Sequence, residues 1–392
     1  MEQVLIMCAS HPQADPRPNR MIHWLKDKYA VTVLGLEPVN VDGVESIGVP
    51  SFSQGFVLTV IRKCIALLGM LFVHLGFLGL AESLSLNLHA RIASHIDPNV
   101  LNRLQNANFD LIVSHDIVLL PLAFAVRKKA KVLLDAREFY PRHYVDRPLW
   151  RLISQPEMDY LCEIYLHKCE GMITVSDGIA EEYKKRYRVN SQVVLSLPEF
   201  KELSPTPVRI DNIRIIHHGI ASPSRRLDQM IEMMDHVDKR FSLDVMLVPQ
   251  KSRYWDKLVE MASARTNVRI IPPVPMNEIV TFTHAYDIGL FLSAPTTFNL
   301  KYALPNKLFE FVQARLAVAI GPSIEMRKIV EKYDCGVVSR DFEPESMAEV
   351  LNQLTSERVM YYKNQSHKAS HELNAQTNTE KVRQIVRELV ER

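Results

Sequence analysis

The stretch KYALPNKLFEF (Lys301–Phe311) sets a cation and a carboxylate on one side of an otherwise apolar helix start. Pro305 suits the first helical turn, where its missing N–H costs nothing. The amides that remain there, aided by the helix dipole, suit an anion such as a diphosphate. Lys307 adds a full positive charge, and Leu304 leads into the turn. Asn306 and Glu310 are four residues apart and Lys307 and Glu310 three apart, so they share a face. A carboxylate one turn down can accept two hydrogen bonds from a ribose diol. The same residues also suit a plain helix start, because Glu near an N-terminus is favourable in its own right.

A second group lies in HHGIASPSRRLDQMIEMM (His217–Met234). A strand is expected to end at His217-His218, and Gly219 permits close backbone approach. Arg225 and Arg226 precede a helix, and an arginine there can neutralise phosphate as a nucleoside diphosphate departs. One of the two is expected to be a surface residue, and the loop is neither a Walker nor a GxGxxG pattern. In ASHPQADPRPNR, the residues His11, Asp15 and Arg17 suit contact with an acceptor or diphosphate, or a solvated loop. His115-Asp116 suits a ligand-facing edge or a strand-end cap. Ser176 is expected to cap a helix starting at Asp177 or Gly178. Met230, Met233 and Met234 read as core, and Glu325 and Glu331 as surface.

Short apolar runs separated by helical patterns must position these residues. The expected strands are Val4–Cys8, Val31–Leu36, Phe109–Ser114, Lys131–Leu134, Gly171–Val175 and Gln192–Leu197, then Ile213–His217, Phe241–Val248, Val268–Ile271, Ile288–Leu292, Ala317–Ile320 and Gly336–Val338. Unalternated aliphatic runs suggest strands covered on both faces, and the intervening helices suggest parallel crossovers. PEFKELSPTPVRIDN (Pro198–Asn212) reads as a linker between two such units. Ligands of doubly wound sheets sit beyond the carboxyl ends of the strands, where the polar and Gly/Pro-rich segments gather here.

A chain of 392 residues exceeds one compact core, so two domains are expected. Its formal net charge is +2, which gives no argument for a nucleic-acid partner. Local basic clusters (Arg127-Lys128-Lys129-Lys131, Arg147 with Arg151, Lys184-Lys185-Arg186-Arg188) are either scattered solvated faces or a surface for anionic lipid or substrate. The five cysteines show no CxxC spacing, which fits a reducing compartment and argues against zinc. MEQVLIMCAS has no basic segment followed by a cleavable apolar one, so a cytoplasmic chain is expected.

Four segments together, HHGIASPSRRLDQMI, YDIGLFLSAP, LPNKLFEFVQARLAVAIGPSIEM and CGVV, resemble the donor domain of GT-B glycosyltransferases of the large retaining GT4-like group. SHPQADPRPNR, FDLIVSHDIVLLPLA, LDAREFYPRHY and ITVSDGIAEEYKKRYRV are similar to the amino half of that family, leaving about residues 50–100 uncovered. The resemblance implies two Rossmann-like doubly wound domains facing across a cleft: an acceptor domain at 1–203, a nucleotide-sugar domain at 208–370, and a helix at 371–392 returning to the first domain. It implies that Glu310 holds the ribose. Arg225, the Gly219 loop and the Leu304–Lys307 helix start would hold the diphosphate, and Tyr286 would line the base pocket with the loops at Val248–Gln250 and Pro272–Val274. Two departures stand out. The family's Glu-x7-Glu has Tyr302 at its first position here, and Arg137 stands where a histidine is common. Asp135, Arg137 and Glu138, with His115 and Asp116, are the catalytic-side candidates that remain. The resemblance further implies a metal-independent reaction without a cofactor, in which an acceptor hydroxyl attacks the donor's front face.

CIALLGMLFVHLGFLGLA (Cys64–Ala81), inside an apolar segment at 56–88, is broken only by His74. As a helix it would span roughly 27 Å, borderline for a bilayer, and crossing would strand half of a sheet domain. It is therefore either a helix buried in the amino domain or an element dipping into the membrane interface. The leading expectation is a glycosyltransferase using a UDP- or GDP-sugar at the cytoplasmic membrane face, peripheral to the bilayer. Its acceptor would be a lipid-linked saccharide or a polysaccharide, as in bacterial cell-surface polysaccharide synthesis. The alternatives are a non-hydrolysing sugar-nucleotide epimerase and a non-catalytic sugar-nucleotide-binding membrane partner.

Overall fold

The computed structural model describes residues 1–49, 56–84 and 97–391, without the side chains of 56–59 and 62. The expected segment at 85–88 and the terminal Arg392 lie outside the described residues. The chain forms two units: 1–195 with 297–299 and 379–392, and 196–296 with 300–378.

The first unit holds β1 (Gln3–Met7), β2 (Ala30–Gly35), β3 (Glu45–Gly48), β4 (Leu111–Ser114), β5 (Lys131–Ala136), β6 (Gly171–Thr174) and β7 (Gln192–Val193), in the sheet order β3-β2-β1-β4-β5-β6-β7. The second holds β8 (Ile213–Ile220), β9 (Phe241–Val248), β10 (Val268–Ile271), β11 (Ile288–Phe291), β12 (Ala317–Ile320) and β13 (Gly336–Val338), ordered β10-β9-β8-β11-β12-β13. Every pairing in both sheets is parallel. Each order reverses direction once, between β1 and β4 and between β8 and β11, which is where doubly wound sheets open for ligands.

Burial explains why these runs become central strands. Val4–Met7, Leu111–Ser114 and Ala317–Ile320 are buried along their lengths, as strands covered on both faces must be. Glycine admits close packing at one site in particular: a Cβ on Gly289 would lie 2.2 Å from the Phe311 ring, so Gly289 lets the helix Asn306–Gln313 settle on β11. In the first unit the helix Pro16–Leu25 and the tail residues Val382, Ile385, Val386 and Leu389 share one core with β1, β2 and β4. Met230, Met233 and Met234 belong to the second unit's core.

Several sequence expectations change. β3 is a strand beyond those expected, because ESIG is short and buries only Ile47. β7 ends at Val193 rather than Leu197. β5 runs on to Ala136, which puts Asp135 in a strand. β8 runs on to Ile220, so Gly219 pairs with Leu247 instead of lying in a loop. Ser176 stands at the N-cap of Asp177–Tyr187, yet its buried hydroxyl makes no cap bond. Glu325 is buried at the first turn of Ile324–Tyr333 beside Lys328, 3.1 Å away, not on the surface. The proline-rich stretch is held to the second unit: Arg315 donates to the carbonyls of Lys201 and Leu203, at 2.6 and 3.2 Å.

The apolar run is not one helix. It divides into Phe56–His74 and Leu78–Leu84 around Gly76, whose φ of +81° favours glycine. Gly69 packs on the Tyr160 ring of the helix Gln155–Tyr165, and Tyr160 Oη donates to the Ala81 carbonyl at 2.6 Å. Ile65, Ala66 and Ala81 are buried, but Leu67, Leu71, Leu75, Phe77, Leu78 and Leu80 are exposed. Full burial of this segment is thereby overturned. No helix among the described residues is long and apolar enough to cross a membrane.

Candidate functional site

In the second unit, the chemistry gathers where β8 and β11 end. Gly219 has φ +146°, a conformation side chains rarely adopt, and a Cβ placed on it would lie 2.9 Å from Lys307 Nζ. Lys307 therefore packs directly over bare backbone. It stands on the helix Asn306–Gln313, which has Pro305 as N-cap, no side-chain cap bond and no acidic residue in its first turn. The first amides of such a helix point outward without an intrahelical acceptor. Burial and then the charge of Arg225 lower the Lys307 pKa to about 8, with Glu310 partly offsetting both. Two cations held together in a half-buried setting favour an anionic ligand between them.

Glu310 lies one turn down the same helix and is buried, with Oε2 3.3 Å from His218 Nε2. Burial and the Lys307 charge lower the His218 pKa to about 3, so the ring is neutral and does not cancel the carboxylate. His217 is likewise kept neutral, by burial and then by Lys307. Its Nδ1 lies 2.8 Å from the Leu290 carbonyl, which can only accept, so Nδ1 carries the proton. Leu304, Pro305 and Asn306 are half-buried around the helix start, as is Tyr302 before it. Arg226 is the exposed arginine of its pair.

In the first unit the named residues fall into two layers. Asp135 is fully buried and takes Arg17 Nε on both oxygens, at 2.8 and 2.7 Å, with His115 Nδ1 3.0 Å from Oδ2. Burial opposes ionisation of Asp135, but the charges of Arg17 and His115 outweigh it and hold the carboxyl below its usual range. Arg17 also donates to the Val194 carbonyl at 2.8 Å and is only 4% exposed, so it is not part of a solvated loop. Nor does the His115 side chain cap the strand end. Above this buried layer, Arg137 reaches Asp15 at 2.5 Å and Glu138 meets His143 at 2.8 Å. Asp116 accepts the Val118 N–H at 3.2 Å, capping the short turn Ile117–Leu119. His11 is exposed, 3.4 Å from Glu37. Among the described residues no three His, Cys, Asp or Glu side chains gather in a group that could hold a metal ion.

No family model and no curated protein sequence matches this chain. Solved structures do. WaaG, a glycosyltransferase involved in lipopolysaccharide biosynthesis, is 16% identical over 97% of this chain and 99% of its own, with a TM-score of 0.66. HepE of Anabaena, in complex with UDP and glucose, is 13% identical over 98% and 99%, TM-score 0.66. An alpha,alpha-trehalose-phosphate synthase (UDP-forming) from Burkholderia vietnamiensis is 11% identical over 99% of each chain, TM-score 0.64. The fold is GT-B.

Within the GT-B fold the structure brings together Gly219, Arg225, Lys307 and Glu310, all marked in the sequence. It separates Tyr286 from them. Tyr286 precedes β11 and donates to Asp244 Oδ2 at 2.6 Å, on the amino side of the strands, so it cannot line a base pocket at their carboxyl ends. Sequence reasoning missed the approach of His218 to Glu310, because the two lie far apart in the chain. It also missed Asn299, whose Oδ1 accepts the Phe139 N–H at 2.8 Å and whose Nδ2 donates to Glu138 at 3.3 Å. No local signal marks either contact.

Proposed function

We propose that the chain is a retaining glycosyltransferase that moves a sugar from a nucleoside-diphosphate donor, UDP- or GDP-linked, to a membrane-borne acceptor. The observation carrying this reading is Lys307 over the bare backbone of Gly219, with Arg225 beside it and Glu310 one turn down. The ammonium, the guanidinium and the outward amides hold the diphosphate, and Glu310 accepts from the ribose diol. These groups also meet the charge that grows on the departing diphosphate, so the reaction runs without a metal. The bond from the anomeric carbon to the diphosphate oxygen breaks as the acceptor oxygen bonds to the same face. The acceptor proton passes to the departing phosphate oxygen. UDP complexes among the GT-B neighbours support the donor class.

The acceptor is lipid-linked, and the enzyme is peripheral on the cytoplasmic membrane face. Support comes from the exposed apolar face of Phe56–His74 and Leu78–Leu84 and from the short helix Pro148–Ile153. That helix exposes Leu149 and Leu152 beside Arg147 and Arg151. Apolar and basic side chains together suit an anionic bilayer surface. The test is incubation with radiolabelled UDP- and GDP-sugars and a membrane fraction, with and without EDTA. Label in the lipid extract, undiminished by EDTA, is the expected result. An epimerised nucleotide sugar, binding without turnover, or loss of transfer with EDTA would overturn it.

A further inference from the structure

A cavity of about 500 Å³ opens in the first unit at the carboxyl ends of β4 and β5, lined in part by Lys63, Asp116, Arg137, Tyr140, His143 and Trp150. Tyr140 is 5% exposed, and its hydroxyl has no hydrogen-bond partner among the described residues. A buried hydroxyl left unpaired is costly, so its setting calls for a partner. The Asp116 carboxylate nearby accepts only the Val118 N–H among the described residues. The wall beside them is aromatic: His143 and Tyr144 stack at 3.9 Å, and Trp150 meets Tyr144 edge-on at 6.0 Å.

The charges around the cavity decide the ligand class. Lys63 is paired with Glu157, Arg137 with Asp15 and His143 with Glu138. An entering anion would meet cations already satisfied and the carboxylates of Asp116, Glu138 and Glu157. A neutral polyhydroxyl ring would instead donate to Asp116, bond the Tyr140 hydroxyl and lay its C–H face on the rings. We propose that this cavity binds an uncharged sugar ring, the saccharide head of the acceptor, with Asp116 and Tyr140 as its specificity-determining hydrogen-bonding residues. This rests on the reading of the chain as a sugar transferase, and it deepens that reading. The walls also explain how a lipid-borne head would arrive. Lys63 stands on Phe56–His74 and Trp150 on Pro148–Ile153, two of the helices that turn apolar side chains outward.

Saturation-transfer NMR on the full chain tests this. The probes are methyl glycosides of glucose, galactose, mannose and N-acetylglucosamine, with glucuronic acid and glucose-1-phosphate as anions. At least one neutral glycoside is expected to bind. Its affinity should fall about tenfold, one lost hydrogen bond, in Tyr140→Phe and in Asp116→Asn. Trp150→Ala should weaken it similarly, while UDP or GDP affinity by calorimetry is unchanged in all three. If Asp116→Asn lowers the melting temperature, Tyr140→Phe, which removes a single oxygen, carries the test. Failure of every neutral glycoside while UDP or GDP still binds overturns this inference alone. Tighter binding of the anionic sugars, or neutral binding indifferent to the variants, overturns it as well. A chain that binds no nucleotide overturns the proposed function.

Discussion

Lys307 sits where its own charge is disfavoured. Burial and Arg225 lower its pKa to about 8, and a bound diphosphate would restore its preference for the proton. The complex then keeps that proton to a higher pH than the free chain does. Donor affinity should therefore be level below about pH 8 and fall above it, by up to about tenfold per pH unit. Calorimetry across that range checks this, and Lys307→Met should bind more weakly and lose the dependence. Glu310→Ala should weaken donor binding by about 1.5–3 kcal/mol, the scale of hydrogen bonds to a charged acceptor, with melting little changed. If Glu310 reads the ribose diol, that variant should also stop discriminating against a 2′-deoxy nucleotide. Equal donor affinity in wild type and variant would remove Glu310 from the ribose.

Elements position these residues in ways that make some substitutions costly at a distance. Gly219 closes β8 in a conformation that L residues avoid. Gly219→Ala should cost about 1–3 kcal/mol through backbone strain, displace Lys307 and reduce nucleotide affinity; denaturant melts and calorimetry read both. Arg17, near the start of the helix Pro16–Leu25, ties that helix to β5 through Asp135. Arg17→Met would leave a buried carboxylate without its main counter-charge and should destabilise the chain by about 3–5 kcal/mol. An unchanged denaturation midpoint would refute that role. Asp135 acts in this frame by holding Arg17, with His115 set against Asp135, beneath the layer that Arg137 and Glu138 occupy.

At the scale of the molecule, the first unit shows water a face that a protein core would ordinarily hide. Leu67, Leu71, Leu75, Phe77, Leu78 and Leu80 are exposed along Phe56–His74, Leu78–Leu84 and the turn between them, and large exposed apolar surface marks an interaction site. The wild-type chain should float with vesicles containing anionic lipid. The double variant Leu71→Glu with Leu78→Glu should lose more than about 2 kcal/mol of that affinity, taking two lost side-chain burials, and remain folded. Flotation that is indifferent to both substitutions would show that another surface meets the lipid.

The sequence by itself determined the repeated parallel α/β plan, because aliphatic runs without alternation have few other ways to bury both faces. It also marked the residues proposed to hold the donor, since Pro305, Asn306, Lys307 and Glu310 lie at the start of one short helix where spacing alone fixes the shared face. Tertiary structure decided what depends on contacts between distant segments. Asp135 became a buried counter-charge for Arg17 because β5 runs longer than its composition suggests, and His218 came to Glu310 because β8 lies beside β11. The apolar run resisted a reading from sequence for the same reason. Hydropathy reports that a segment avoids water, but only the packing of Gly69 on Tyr160 decides which face is hidden and which is left exposed.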